Sequence, residues 1–419
     1  MVAPVLPSRR SDVIAILAIF ALAVAARLAV QLLLGFYASP ESFEEGLIAR
    51  DVAAGRGYGF EMFGTWQQAF RAPLYPLLLG ALYTLFGASS VVAGIFQLIL
   101  GGATAAVAAA VGWRLGGRDP GMLAGALVAT HPGLLVYAAK IHQLSLDALL
   151  LTASTLVLLL SLASPAAKLG ATYGVIGGLL ALTRPTALPF VPIAAGLVAL
   201  RELTRGGMRW AFIAVALTAG LSAVWVVRNA VTVGEPTLST STGLFIWTGN
   251  NRFATGTALT SDGHPMYLAD IDLVTKVQGR DEVEQDRIFR DAALSYMIED
   301  PLRTTRHLVE RAVAFWWFTP TSGSGYPPAW LPLYAAYWIV ALSGAIVGAA
   351  TLWRAGRRAE MATLAGLPVV VGLTQALFYV EGRHRWGIEP IVLVLSAFGA
   401  VWAVRRLRGA PAPGAAETS

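Results

Sequence analysis

The chain has 419 residues, 56% of them hydrophobic and only 13% charged, and its mean hydropathy is +0.62. Soluble domains carry roughly 25% charged residues, so a chain this apolar must have lipid as part of its solvent. It has no cysteine and a formal net charge of +6. Disulfides, thiolate catalysis and Cys-bearing metal sites are thereby excluded. The positive charge falls in short runs between apolar segments, with no basic stripe interleaved with aromatics, which argues against a nucleic-acid partner.

A window of about 19 residues picks out apolar segments near 13–36, 72–88, 91–112, 120–138, 146–163, 169–183, 186–200, 210–227, 329–350, 361–380 and 388–404. The first mimics a signal peptide through Ala23 and Ala25, but apolar sequence resumes after Arg27 and runs to Tyr37, so it reads as an uncleaved anchor. Arg9 and Arg10 place the N-terminus in the cytoplasm. Arg114 and Arg118, Lys168, Arg201 with Arg205 and Arg209, Arg354 with Arg357 and Arg358, and Arg405 with Arg406 and Arg408 mark further cytoplasmic turns. These alternate correctly over about ten spans if segment 72–88, broken by Pro73 and Pro76, is re-entrant or interfacial. The predicted fold is therefore an all-α polytopic membrane protein with about 10–11 transmembrane segments. Its parts are an N-terminal transmembrane module 1–228 containing an outer loop 38–71, a large extracytoplasmic loop 229–327 with a helix over 282–299, and C-terminal spans 328–408. A Pro/Ala-rich tail, 409–419, is expected to be disordered. No internal repeat of the transporter kind is visible.

In the first outer loop, Ser39-Pro40-Glu41 predicts a helix start with a Ser N-cap and Pro at the first position, and Gly55 supplies a stop. At about 100° per residue, Glu41, Glu44, Glu45 and Asp51 share an arc of roughly 120°, with Phe43, Leu47 and Ala54 opposite. That predicts an amphipathic helix at the membrane surface. Like charges at these spacings cost about 0.2–0.5 kcal/mol per pair, so the acidic face either meets water or holds a cation or substrate.

The stretch Glu41-Ser42-Phe43-Glu44-Glu45-Gly46-Leu47-Ile48-Ala49-Arg50, then Gly55-Arg56-Gly57-Tyr58-Gly59 and Arg71-Ala72-Pro73-Leu74-Tyr75-Pro76, resembles the first outer loop of the GT-C-fold glycosyltransferases that use polyprenyl-phosphate sugars. The similar branch is the protein mannosyltransferase-like and aminoarabinose transferase-like one, of the glycosyltransferase family 39 type. Leu182-Thr183-Arg184-Pro185, Trp225-Val226-Val227-Arg228-Asn229 with Gly249-Asn250-Asn251, and Glu381-Gly382-Arg383-His384-Arg385 with Glu389-Pro390 resemble later segments of the same family. Where the family has a Glu at the start of the span near 146, this chain offers only Asp147 with Ser145.

The resemblance implies an inverting transfer of a sugar from an undecaprenyl- or decaprenyl-type phosphate to an acceptor hydroxyl on a glycan, lipid or protein. It places the site on the outer face of a bacterial cytoplasmic membrane. A polyprenyl tail stays in lipid, at about 0.8 kcal/mol per buried CH₂, so chemistry belongs at the membrane surface. The hydroxyl needs a positioned base, worth about 10²–10⁴-fold. Glu44 is the first candidate, Glu45 the second, and Glu41 would orient the acceptor or help hold a divalent cation (Mg or Mn). The leaving phosphate calls for fixed cations. Arg71, beside Tyr75, is the first of these, with Arg383 and Arg385 from a later loop and Lys140 and His142 at a span end. Basic residues there, Arg228 included, also serve as headgroup anchors. Asn250 and Asn251 are candidates for sugar hydroxyls or for a tight turn. The competing reading is a transporter, or a flippase or ligase of lipid-linked glycans. A transporter should carry ionisable groups near mid-membrane, and only Arg27 lies deep in a predicted span.

Overall fold

The computed structural model describes residues 9–201, 205–317 and 326–409, so nearly all of the tail expected to be disordered lies outside the described residues. Every predicted apolar segment carries a helix. Seven are long and apolar enough to cross a membrane: Arg10–Leu33, Ser90–Gly116, Leu144–Ser161, Gly206–Thr232, Pro328–Arg354, Arg358–Ala376 and Glu389–Leu407. The chain is a multi-pass, all-α membrane protein. Leu144–Ser161 is the most enclosed of these helices, whereas Arg10–Leu33 and Gly206–Thr232 are peripheral. Leu74–Phe86, Ala167–Ala181 and Pro185–Arg201 are apolar but shorter. The 13 residues of Leu74–Phe86 rise about 20 Å, short of a hydrocarbon core of about 30 Å.

The segment near 120–138 is not the single helix the hydropathy predicts. It breaks into Arg118–Ala129 and Pro132–Ala138, bent by 48°. The cause is Pro132, whose missing N–H leaves the Val128 carbonyl without its helical donor. In lipid such orphans must be satisfied by protein. Arg27 supplies two of them, donating to Val128 O (3.4 Å) and Ala129 O (3.3 Å). The Tyr337 hydroxyl donates to Leu127 O at 2.5 Å, and Gln31 caps the far half at Ala138 O (2.8 Å). Arg27, the one charge deep in a predicted span, is thus a cap for a broken helix. Gly101 makes room for it, since a Cβ there would overlap the guanidinium.

The first loop also departs from expectation. Ser39 caps nothing; Glu41–Ser42 instead forms a short strand paired in parallel with Lys140–Ile141, and the helix runs Glu44–Ala53 with Phe43 as its N-cap. Backbone that would have begun the helix is spent on the strand pair. Gly46 permits the approach, because a Cβ there would fall 2.8 Å from Ile141. The helix does not turn its acids to water and its apolar face inward. Glu45, Gly46, Ile48 and Ala49 are buried, while Leu47 is 44% exposed. Gly55 (φ 73°) ends it as predicted.

The two long loops fold together over one small apolar core: Ile48, Phe60 and Phe70 from the first, Leu244, Trp247, Met266, Leu273, Val277 and Phe289 from the second. The predicted helix over 282–299 is present as Glu282–Glu299. Its first residue holds the first loop: the Glu282 carboxylate accepts from Gln68 N (2.8 Å), Ala69 N (2.9 Å) and the Thr240 hydroxyl (2.7 Å).

Substituting Arg27→Leu is expected to lower thermal stability in detergent by about 1–3 kcal/mol for each carbonyl left unpaired. Gly101→Ala should have a similar effect by displacing the same guanidinium. Unchanged melting of both variants would show that the break does not depend on this cap.

Candidate active site

The Glu282 clamp fixes the backbone at Gln68 and Ala69, just before Arg71, and Tyr58 donates its hydroxyl to the Arg71 carbonyl at 2.7 Å. The guanidinium is aimed into the space between the loops, 5.6 Å from the Phe70 ring centroid and 5.3 Å from that of Phe245. Two carboxylates meet it from the helix Glu44–Ala53. Glu44 accepts from Arg71 Nη2 at 2.7 Å, and Glu45 Oε1 lies 3.7 Å from Arg71 Nε. Burial works against the charge of Arg71, but Glu44 and Glu45 outweigh it and raise its pKa.

The neighbouring carboxylates are pushed in opposite directions. For Glu44 burial opposes ionisation, and Arg71 overcomes it through charge and hydrogen bonding, so the pKa lies below the usual carboxylate value. For Glu45 burial prevails over Arg71, helped by repulsion from Glu44, and the pKa is raised. Glu45 is fully buried and Glu44 partly exposed. Adjacent acids held apart in this way can take different protonic roles.

Arg71 lines a cavity enclosing about 980 Å³, part of it open solvent. Its walls include Phe43, Phe245 and Tyr379, the cations Arg71, Arg184 and Arg383, and the polar side chains His142, Gln143, Asp147 and His384. Arg383 pairs with Glu381 at 2.9 Å and lies 5.5 Å from the Phe43 ring centroid. Burial opposes its charge, yet Glu381 and the nearby tyrosines keep its pKa raised. Burial, then the surrounding cations, push both His142 and His384 well below their ordinary value. His142 Nδ1 accepts from Leu144 N at 3.0 Å. Both rings are therefore neutral near pH 7, and the cavity's positive charge is carried by its arginines.

Of the residues picked from sequence, Arg71, His142 and Arg383 line this cavity, and Glu44 and Glu45 reach it through Arg71. Glu41 and Lys140 form an ion pair with each other across the strand pair. The remaining five have polar groups engaged within the protein. Tyr75 is buried and accepts from Gln97 Nε2 at 3.2 Å. Arg228 donates to Gln68 O (2.7 Å) and lies over Trp225, anchoring the loop. Asn250 donates to Ile246 O and Leu377 O and accepts from Arg311. Asn251 donates to Trp247 O and accepts from Phe253 N, so the pair makes the turn. Arg385 donates to Glu389 (2.6 Å) and to Phe315 O and Trp317 O. Glu389 also accepts from Tyr334 (2.7 Å) and meets His131 Nε2. His131 Nδ1 accepts from Leu134 N, which assigns the ring proton to Nε2, facing Glu389.

Sequence reasoning passed over Arg184, Asp147, Gln143, Tyr379 and His384. Arg184 belongs to the Leu182-Thr183-Arg184-Pro185 motif and Asp147 to the start of the span near 146, and spacing alone marks neither as a site residue. Among the described residues no group of three or more His, Asp or Glu side chains is placed to hold a metal ion. The three loop glutamates are instead tied to Lys140 and Arg71, so a divalent cation does not fit this donor set.

Glu44→Gln should destabilise the protein by about 1–3 kcal/mol at neutral pH, the cost of orphaning a charged hydrogen-bonding group. A depressed folded-state pKa means the pair's contribution is complete above the unfolded value, about 4.3, and fades as pH falls through the folded one. The gap between wild type and variant in melting temperature should therefore close on acidification below about pH 4. In Arg385→Ala, removing the cationic partner of the buried Glu389, which keeps Tyr334 and His131, should cost about 3 kcal/mol, measured by the same unfolding assay.

No protein-family model matches the sequence, and no curated protein matches it. Solved structures do resemble it. The Archaeoglobus fulgidus oligosaccharyltransferase in the apo form superposes with a TM-score of 0.56 at 12% identity, covering 94% of this chain and 51% of that one. The oligosaccharyltransferase AglB from Archaeoglobus fulgidus, in complex with an inhibitory peptide and a dolichol-phosphate, gives 0.52 at 12%, covering 96% and 52%. ArnT from Cupriavidus metallidurans bound to undecaprenyl phosphate overlays more loosely, with a TM-score of 0.39 at 16% identity over 91% of this chain and 77% of that one. The chain spans about half the length of the oligosaccharyltransferases it matches, and at such identities the likeness is one of architecture: the chain has the GT-C fold.

Proposed function

We propose that this chain is an integral-membrane glycosyltransferase that moves a sugar from a polyprenyl phosphate to an acceptor hydroxyl, with inversion, on the outer face of a bacterial cytoplasmic membrane. The observation that carries the reading is Arg71, which faces a cavity shared with Arg383 and Arg184 while holding Glu44 at 2.7 Å. A cationic cavity with a carboxylate at its edge is what such a transfer needs. The dolichol-phosphate held by AglB adds support for a lipid phosphate as carrier.

In the proposed step the acceptor oxygen attacks the anomeric carbon as the bond from that carbon to the phosphate oxygen breaks. The hydroxyl proton passes to Glu44, and the polyprenyl phosphate leaves as a dianion. Its charge grows from about −1 to −2, so Arg71 and Arg383 stabilise the transition state more than the bound donor. Glu44 is preferred to Glu45 as base because it is partly exposed while Glu45 is enclosed. Its depressed pKa would make it a weak base in the free protein. A phosphate drawing Arg71 away lets that pKa rise, so the base strengthens when donor is bound. Glu45 then remains as the second acid beside Arg71. The acceptor is a hydroxyl of a cell-envelope glycan, lipid or protein. A transport reading loses support because Arg27 is spent on carbonyls of a broken helix.

The test uses purified protein in lipid nanodiscs with polyprenyl-phosphate sugars and envelope extract as acceptor. Glu44→Gln should lose about 10²–10⁴-fold in transfer with donor binding retained. Arg71→Ala should weaken donor binding about tenfold or more. Wild-type transfer by the Glu44→Gln/Glu45→Gln double variant would overturn the mechanism.

A further inference from the structure

Asp147 and Arg184 form a buried pair whose hydrogen-bonding capacity is only partly used, and unlike Glu45 they are not tied to Arg71. Asp147 lies in the first turn of the most enclosed span and is 1% exposed; Arg184, just beyond the helix Ala167–Ala181, is 8% exposed. Both line the large cavity. Arg184 Nε lies 3.8 Å from Asp147 Oδ2, an ion-pair distance too long for a hydrogen bond. Thr183 and Gln143 stand beside the carboxylate, yet neither of its oxygens, nor Arg184 Nη1, has a well-formed hydrogen bond. Such orphans are costly to leave unmade.

The last loop keeps space for this arrangement. Gly387 has φ −61°, a value any residue adopts, so it needs no special backbone freedom. A Cβ there would instead lie 2.5 Å from Arg184 Nη1. Glycine at 387 thus leaves the guanidinium where it is, with Nη1 unengaged.

We infer that Asp147 and Arg184 form the subsite that reads the sugar of the lipid-linked donor, and that the sugar it takes is an uncharged polyol. This rests on the donor reading given above. A sugar hydroxyl both donates and accepts, which matches a carboxylate and a guanidinium Nη1 with open capacity on the same wall. The pair is neutral as a whole. A uronic acid's carboxylate would meet Asp147 as well as Arg184, and an amino sugar's ammonium Arg184 as well as Asp147, so either charge is opposed by one member of the pair, whereas a neutral hydroxyl is opposed by neither. Arg71 and Arg383 are left to the phosphate.

The experiment measures affinities of the full-length protein in nanodiscs for undecaprenyl phosphate and for the same lipid carrying neutral hexoses and pentoses, a uronic acid or an amino sugar. Wild type should bind at least one neutral-sugar lipid about tenfold or more tightly than the bare lipid phosphate. Asp147→Asn and Gly387→Ala should each erase that gain and leave affinity for undecaprenyl phosphate within about twofold, which also shows that the variants fold. The inference is overturned if both variants keep the preference, if wild type favours a charged sugar or none, or if both variants lose the bare lipid as well. Failure of wild type to bind undecaprenyl phosphate at all would instead bring down the donor reading beneath it.

Discussion

Arg71 is held by three parts of the chain that are far apart in sequence. Its charge is met by Glu44 and Glu45 from the loop helix. Its ring neighbours come from positions 70 and 245. The backbone leading to it is clamped by Glu282, more than two hundred residues away. A largely buried guanidinium with two carboxylates is stable only if each geometry is maintained. The apolar core shared by the two long loops therefore does more than cover the bundle; it keeps Arg71 in place. The cavity exists where that core meets the membrane helices.

Much of this architecture was legible in the sequence, for a simple reason. Apolar runs report helices in lipid because nothing else satisfies the backbone there, and all eleven runs became helices. The loop acids, Arg71, His142 and Arg383 stand out in the sequence because polar and charged groups are scarce in this chain, and they lie at or beside one cavity. What failed was everything decided by a distant partner. Ser39 carries a good local cap signal, but pairing of Glu41–Ser42 with Lys140–Ile141 prevailed over it. Asn250, Asn251 and Arg385 look like ligands until the carbonyls and carboxylates around them are counted. Tyr379 and Phe245 gave no signal, since an aromatic in an apolar chain reads as packing. Pro132 was visible throughout, but whether it would bend or end the segment depended on Arg27 being near enough to take up the freed carbonyls.

The divergence of Glu44 and Glu45 shows how one cation can serve two ends. Arg71 lies closer to Glu44 than to Glu45, and the difference of 2.7 Å against 3.7 Å, together with full burial of Glu45, separates their pKa values in opposite directions. Two adjacent acids of the same type thus differ through placement alone. It follows that any anion competing for Arg71 reorders both, because the cation's loyalty is what keeps Glu44 ionised.

Buried charge among the described residues is met to different degrees. Arg27 is answered by carbonyls at a helix break, and the Arg385, Glu389, His131 and Tyr334 group closes upon itself with backbone acceptors added. Such networks hold elements together and have nothing left for a ligand. Asp147 and Arg184 are equally enclosed and pair with each other, but both Asp147 oxygens and Arg184 Nη1 reach the cavity wall without a well-formed hydrogen bond. Since an unmet buried charge costs more than a met one, a ligand that supplies hydrogen bonds at this wall relieves that cost, as it would at Glu45, whose two oxygens also lack a well-formed hydrogen bond beside Arg71. In a cavity whose other cations suit a phosphate, the group that completes it is the part of the same ligand that carries hydroxyls.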